Sequence, residues 1–102
     1  MQIDAKMYRG TLYLTLCGEL DESCASVVKN NLNEQMSMND FRQIIIDLSH
    51  LDFMDSTGIG VLIGRYKKMQ QKGIPIYISN PSKQADKIFR MSALYDIMPK
   101  IN

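Results

Sequence analysis

Apolar and β-favouring residues alternate with polar ones from Ile3 to Met7 and again from Thr11 to Cys17, the two-residue period of half-buried strands. In the second run Leu12, Leu14 and Leu16 share one face, and Thr11, Tyr13, Thr15 and Cys17 share the other. Tyr8-Arg9-Gly10 separates the runs, and a glycine there suits a tight hairpin turn. Gly18-Glu19-Leu20-Asp21 is expected to end the second strand. Asp21 then serves as the N-cap of a helix, with Glu22 as an acid in its first turn. From Ser23 to about Met36 the period changes, and Ala25, Val28, Leu32 and Met36 recur three and four positions apart. That is a helical stripe. Ser37-Met38-Asn39-Asp40 reads as a turn. Ile44-Ile45-Ile46 follows without alternation, as expected of a central strand covered on both faces.

A second helical pattern spans 57–71, with Gly73 placed to cap it and Pro75 barring continuation. Ile74 to Ile78 reads as another strand. Asn80-Pro81-Ser82 is a turn with Ser82 as N-cap, and Lys83 to Met91 forms a third helix with Ala85, Ile88, Phe89 and Ser92 near one face. The tail from Leu94 to Pro99 is a short edge strand or a last turn. The order is ββαβαβα plus a tail. It predicts one α/β domain over residues 1–102, with a mixed β-sheet of four to five strands and helices packed mainly on one face.

Composition narrows the function. The chain has 102 residues, 45% hydrophobic and 23% charged, with a net charge of +1. One modest core fits that length. There is no basic excess of the kind that binds nucleic acid and no apolar run near the ~20 residues that span a bilayer. Met1-Gln2-Ile3-Asp4 lacks the regions of a signal peptide. Cys17 and Cys24 are too few for a disulfide framework and match no zinc spacing, so they read as small core residues of a reduced, cytoplasmic protein.

The stretch between the Ile44 strand and the 57–71 helix carries the candidate chemistry. Ser56 of Asp55-Ser56-Thr57-Gly58 sits where an N-cap belongs. It also reads as a regulated hydroxyl, because a phosphate there meets free helix amides and the positive end of the helix dipole. On a helical wheel Ile59, Leu62, Ile63, Tyr66 and Met69 form the buried side. Gly60, Gly64, Lys67 and Gln71 lie opposite, with Val61 and Arg65 toward that outer side. Two interior glycines cost roughly 1 kcal/mol each relative to alanine. Either another surface approaches this backbone, or a neighbouring helix of the same chain does.

Enzyme readings fail on the residues. A hydrolase elbow needs Gly-x-Ser-x-Gly, but Met54 occupies the first glycine position, and His50, the only histidine, precedes the turn. Gly58-x-Gly60-x-x-x-Gly64 lies too far from the strand for a dinucleotide site, and no Walker A loop is present. Asp47, Asp52 and Asp55 lack a ligand pattern, so no metal and no cofactor is expected.

Asp47-Leu48-Ser49, followed by Phe53-Met54-Asp55-Ser56-Thr57-Gly58-Ile59-Gly60-Val61-Leu62-Ile63-Gly64-Arg65-Tyr66, resembles the signature of the STAS domain. Within that family it is most similar to the sporulation anti-sigma factor antagonists, and Gly18-Glu19-Leu20-Asp21 resembles the family's second motif. The resemblance implies a non-enzymatic partner switch. The unphosphorylated antagonist binds an anti-sigma factor that is also a serine kinase, and so releases a sigma factor. Phosphorylation on Ser56 (Thr57 is the minor alternative) switches it off, and a dedicated phosphatase restores it. The resemblance also implies a docking surface that includes Asp21, Asp55, Ser56, Thr57, Gly58, Gly60, Val61 and Gly64, on a protein monomeric when free. A STAS regulator of another pathway, such as stress signalling or a transporter, and a small nucleotide-binding protein are the alternatives.

Overall fold

The leucine ladder of the second run sets the sheet. The computed structural model describes residues 1–38 and 40–102. Strands β1 (Gln2–Tyr8) and β2 (Thr11–Leu20) pair antiparallel, with Tyr8 opposite Thr11. Arg9 and Gly10 between them take φ of 48° and 80°, the mirror-image turn whose twist matches the flanking strands. Helix α1 (Ala25–Met38) leads to β3 (Gln43–Asp47), which lies parallel to β2. Strand β4 (Leu51–Met54), helix α2 (Ser56–Gln71), β5 (Ile76–Ser79) and helix α3 (Lys83–Met91) complete the chain. The mixed five-stranded sheet has the order β1-β2-β3-β5, with β4 joined to β2.

Strand β4 is absent from the sequence reading. Only its end residues, Leu51 and Met54, are buried, so it has neither alternation nor an apolar run. It pairs in parallel with Gly18, Glu19 and Leu20, through an irregularity between Gly18 and Glu19. Those residues therefore continue β2 where they were expected to end it.

Leu12, Leu14, Leu16, Ile44, Ile46, Ile76 and Ile78 point to one side of the sheet and are buried. They meet Val28, Leu32, Met36, Leu62, Met69, Ala85 and Phe89 of the helices in a single core. The other face carries Tyr13, Ile45 and Tyr77 side by side on β2, β3 and β5. These three are only partly covered, so β3 is shielded fully on one face and not on both. Ile45, the middle of the three isoleucines, lies between Tyr13 and Tyr77 on that less covered face. Cys17 and Cys24 form no disulfide and are half-buried; Cys24 packs against the core as expected, whereas Cys17 alternates with Leu16 onto the opposite face of β2.

The helix ends sharpen two expectations. The Asp21 carboxylate accepts from the Ser23 amide at 3.0 Å and the Ser23 hydroxyl at 2.6 Å. The Cys24 amide bonds the Asp21 carbonyl at 3.2 Å. Asp21 thus closes a turn ahead of α1 instead of capping the helix, which begins at Ala25. Ser37 and Met38 extend α1 instead of turning, and Asn39 of the expected turn lies outside the described residues. At the end of α2 the Ile74 amide reaches the Met69 carbonyl and Gly73 reaches Gln70, each at 3.0 Å. With Gly73 at φ 72°, this is a Schellman termination. Ser82 caps α3 by accepting from the Ala85 amide at 3.1 Å, and its hydroxyl donates to the Leu51 carbonyl at 2.6 Å. Among the described residues no helix is long and apolar enough to cross a membrane.

The tail combines both expected forms. A short 3-10 turn, Leu94–Asp96, precedes an edge pairing in which the Ile78 amide bonds the Pro99 carbonyl and the Ile101 amide bonds the Ile78 carbonyl, both at 2.9 Å. Asp86 of α3 anchors this tail, accepting from Tyr95 Oη at 2.6 Å, Arg90 Nε at 2.8 Å and Lys100 Nζ at 3.4 Å. The Tyr95 hydroxyl, then Arg90, hold its carboxyl down from 3.8 to about 2. A depressed carboxylate stabilises the fold above its unfolded value and loses that contribution as pH falls through the folded one. Acidification from about 4 to about 2 is therefore expected to erase the stability gap between wild type and Asp86→Asn, read as melting temperature against pH.

Candidate docking surface

Asp55, not Ser56, caps α2. It is extended (φ −95°, ψ −175°), and its Oδ1 accepts from the Gly58 amide at 2.9 Å. Its Oδ2 accepts from the Glu22 amide at 3.1 Å, and its own amide donates to the Leu20 carbonyl at 3.3 Å. Either residue type can cap a helix, but only the two-oxygen carboxylate serves the cap and the loop before α1 together. Asp55 so fixes α2, the end of β2 and the Asp21–Cys24 turn in one arrangement. Asp55→Ala is expected to cost about 2 kcal/mol, measured by urea unfolding, since a cap and a second amide lose their acceptor together.

Ser56 becomes the first residue of α2 and is exposed, as is Thr57 beside it. The cap does not engage its hydroxyl, and the helix itself supplies no carbonyl to the amides of its first turn. Asp21, half-buried on the loop that Asp55 tethers, keeps its carboxyl below the ordinary range through the Ser23 hydroxyl and amide. Asp21 and Asp55 therefore place negative charge at this end of α2, with Glu22 and Asp52 near them in the chain.

The three glycines of α2 separate into two kinds. Gly58 is buried, and a Cβ there would run into the Leu20 carbonyl oxygen and lie 2.8 Å from Met54 Cγ. It offers a partner no surface and exists to let α2 start against the end of β2. Gly60 and Gly64 meet nothing within 4 Å of an added Cβ, so no neighbouring helix of this chain accounts for them. They line an open groove of about 310 Å³ between α1 and α2, together with Ala25, Ser26, Lys29, Thr57, Val61 and Arg65.

The buried stripe of α2 is Gly58, Leu62, Arg65 and Met69, with Ile59, Ile63 and Tyr66 half-buried. Arg65 was expected on the outer side and is instead only 9% exposed. The cause is α1, which lies beside α2 and covers that flank. Thus Thr57, Gly60, Val61 and Gly64 line one groove, Ser56 precedes them as the first residue of α2, Asp21 and Asp55 brace that end, and Gly58 is buried beneath it. Ser26 and Lys29 of α1 and the inward turn of Arg65 escaped the sequence reading. Ser26 and Lys29 sit on the polar side of the α1 stripe, and only the packing of α1 against α2 makes that side part of a site. Among the described residues no group of three or more His, Cys, Asp or Glu is placed to hold a metal ion.

The sequence model of the STAS domain matches residues 2–102. An anti-sigma F factor antagonist of Paenibacillus polymyxa is 35% identical over 99 residues, covering 97% of this chain and 85% of the relative. An anti-sigma-B factor antagonist of Bacillus subtilis is 28% identical over 99 residues, covering 96% and 88%. Among solved structures, the anti-sigma factor antagonist SpoIIAA in its unphosphorylated form superposes with a TM-score of 0.80 at 26% identity, covering 99% of this chain and 89% of that one. The Bacillus cell fate determinant SpoIIAA in its phosphorylated form superposes at 0.73, also at 26% identity, covering 99% and 92%.

Proposed function

The chain belongs to the STAS domain family, and on that footing we propose that it is an anti-sigma factor antagonist switched by phosphorylation of Ser56. The observation that carries this reading is the position of Ser56: exposed, first in α2, and next to Thr57, which lines a groove that Gly60 and Gly64 leave open. Unphosphorylated, the protein docks this surface on an anti-sigma factor that is also a serine kinase and frees a sporulation sigma factor. The kinase modifies Ser56 and a dedicated phosphatase reverses the change, in the cytoplasm and on a monomeric antagonist. The named relatives support the antagonist role, and the 35% identity to one antagonist of sigma F over 97% of this chain, against 28% to 31% to antagonists of sigma B, supports the sporulation branch.

The site's chemistry suits a substrate serine. Both Asp55 oxygens are committed to backbone amides, and His50 lies exposed in the turn before β4, so neither is arranged to draw a proton from Ser56. A phosphoryl group on Ser56 meets the amide end of α2 and adds about −1.5 to −2 charge where Asp21 and Asp55 already place negative charge. Incubation with the cognate anti-sigma factor and ATP, followed by tandem mass spectrometry, tests the reading. A phosphate on Ser56 is expected, and its absence from both Ser56 and Thr57 contradicts the switch.

A further inference from the structure

Among the described residues Arg65 is the one buried charged side chain, only 9% exposed. Its Nε and Nη1 are closed off from solvent without a hydrogen-bond partner. The ion pairs among the described residues all involve Asp86, far along the chain from this groove. A buried guanidinium left uncompensated is strongly unfavourable. Among the guanidinium nitrogens only Nη2 is not sealed in this way, and Arg65 lines the α1–α2 groove. The remaining lining residues add a second cation, Lys29, and two hydroxyls, Ser26 and Thr57, but no acid. The bare backbone at Gly60 and Gly64 leaves the approach clear.

We propose that this groove receives a carboxylate side chain of the docking partner, paired with Arg65 at its floor and Lys29 at its rim. A carboxylate is the acceptor that a protein partner carries on Asp and Glu, and one of its oxygens can accept a charge-assisted hydrogen bond from Arg65 Nη2. The groove thus supplies an attractive contact distinct from the Ser56 end of α2. The two lie on the same docking surface with opposite charge, so an acidic partner residue is guided into the groove and away from that end. The partner's identity as an anti-sigma factor rests on the function proposed above.

The test is a double-mutant cycle between the intact protein and its cognate anti-sigma factor, by isothermal titration. Arg65→Met keeps the volume of the buried stem and removes the charge. It is expected to melt no lower than wild type while binding at least 10-fold more weakly. Neutralising one partner Asp or Glu is expected to cost wild type the same factor and to cost Arg65→Met nothing further. Unchanged affinity of Arg65→Met, or a loss that couples to no partner acid, overturns the proposal. Should Arg65→Met fail to fold, Lys29→Glu on the exposed rim carries the same test, with a loss of at least 10-fold expected and an unchanged affinity overturning it. Failure of wild type itself to bind overturns the antagonist reading, and with it the partner named here.

Discussion

Ser56→Asp is expected to weaken binding to the anti-sigma factor by roughly 100-fold, whereas Ser56→Ala is expected to bind as the wild type does and to resist switching by the kinase. Like charges brought together across an interface cost several kcal/mol, and about 3 kcal/mol suffices for two orders of magnitude in affinity. The local arrangement makes the effect one of binding and not of folding. Ser56 is exposed and the cap belongs to Asp55, so neither variant removes a hydrogen bond that holds α2. An acid at the first helical position also sits favourably on the helix dipole. Both variants should therefore melt within a few degrees of wild type. Titration calorimetry separates the two effects, and equal affinity of Ser56→Asp and Ser56→Ala would refute the electrostatic switch.

Gly58→Val should have the largest effect on stability, about 3 kcal/mol or more. The added Cβ alone meets the Leu20 carbonyl oxygen, with Met54 Cγ at 2.8 Å and Leu20 Cγ at 2.9 Å. Backbone cannot give way there without breaking the β2–β4 pairing that ends at Leu20 and Met54. Overpacking at such a site costs 1–3 kcal/mol when neighbours can adjust, and here one of them is backbone. Gly60→Leu is the contrast. Open space surrounds Gly60, and replacing a helix-interior glycine gains up to about 1 kcal/mol of helix propensity. It is expected to keep or raise stability while blocking the groove, with at least a 10-fold loss in anti-sigma factor binding. Chemical denaturation and binding measured on both variants check the pair. An unfolded Gly60→Leu would place that glycine in internal packing instead.

The particular residues show which features a sequence carries on its face. The leucines at 12, 14 and 16 and the stripe at 25, 28, 32 and 36 are buried where their periods place them. Long periodic elements average over many positions and so are legible. Strand β4 has only four residues and two buried ends, which leaves no period to read. The cap at Asp55 went to Ser56 because Ser and Asp are near-equal caps. The deciding contact, the Glu22 amide, comes from a loop 33 residues away in the chain. Arg65 is the same lesson in packing: a wheel gives the axis of a stripe, but the flank that α1 covers is a tertiary fact. The serine at the helix start and Gly60 and Gly64 beyond it were legible as one accessible stretch of α2. That Gly58 is crowded by β2 and β4 while Gly60 and Gly64 face open space required the neighbouring atoms.

The central claim is that one phosphate on Ser56 decides whether this surface captures an anti-sigma factor. Release of the sigma factor measures it most directly, using a fluorescently labelled sigma factor held in complex with its anti-sigma factor and followed by anisotropy. Adding the unphosphorylated protein is predicted to lower the anisotropy to that of the free sigma factor, while the Ser56-phosphorylated protein at the same concentration leaves it unchanged. Equal release by both forms, or release by neither, would contradict the account.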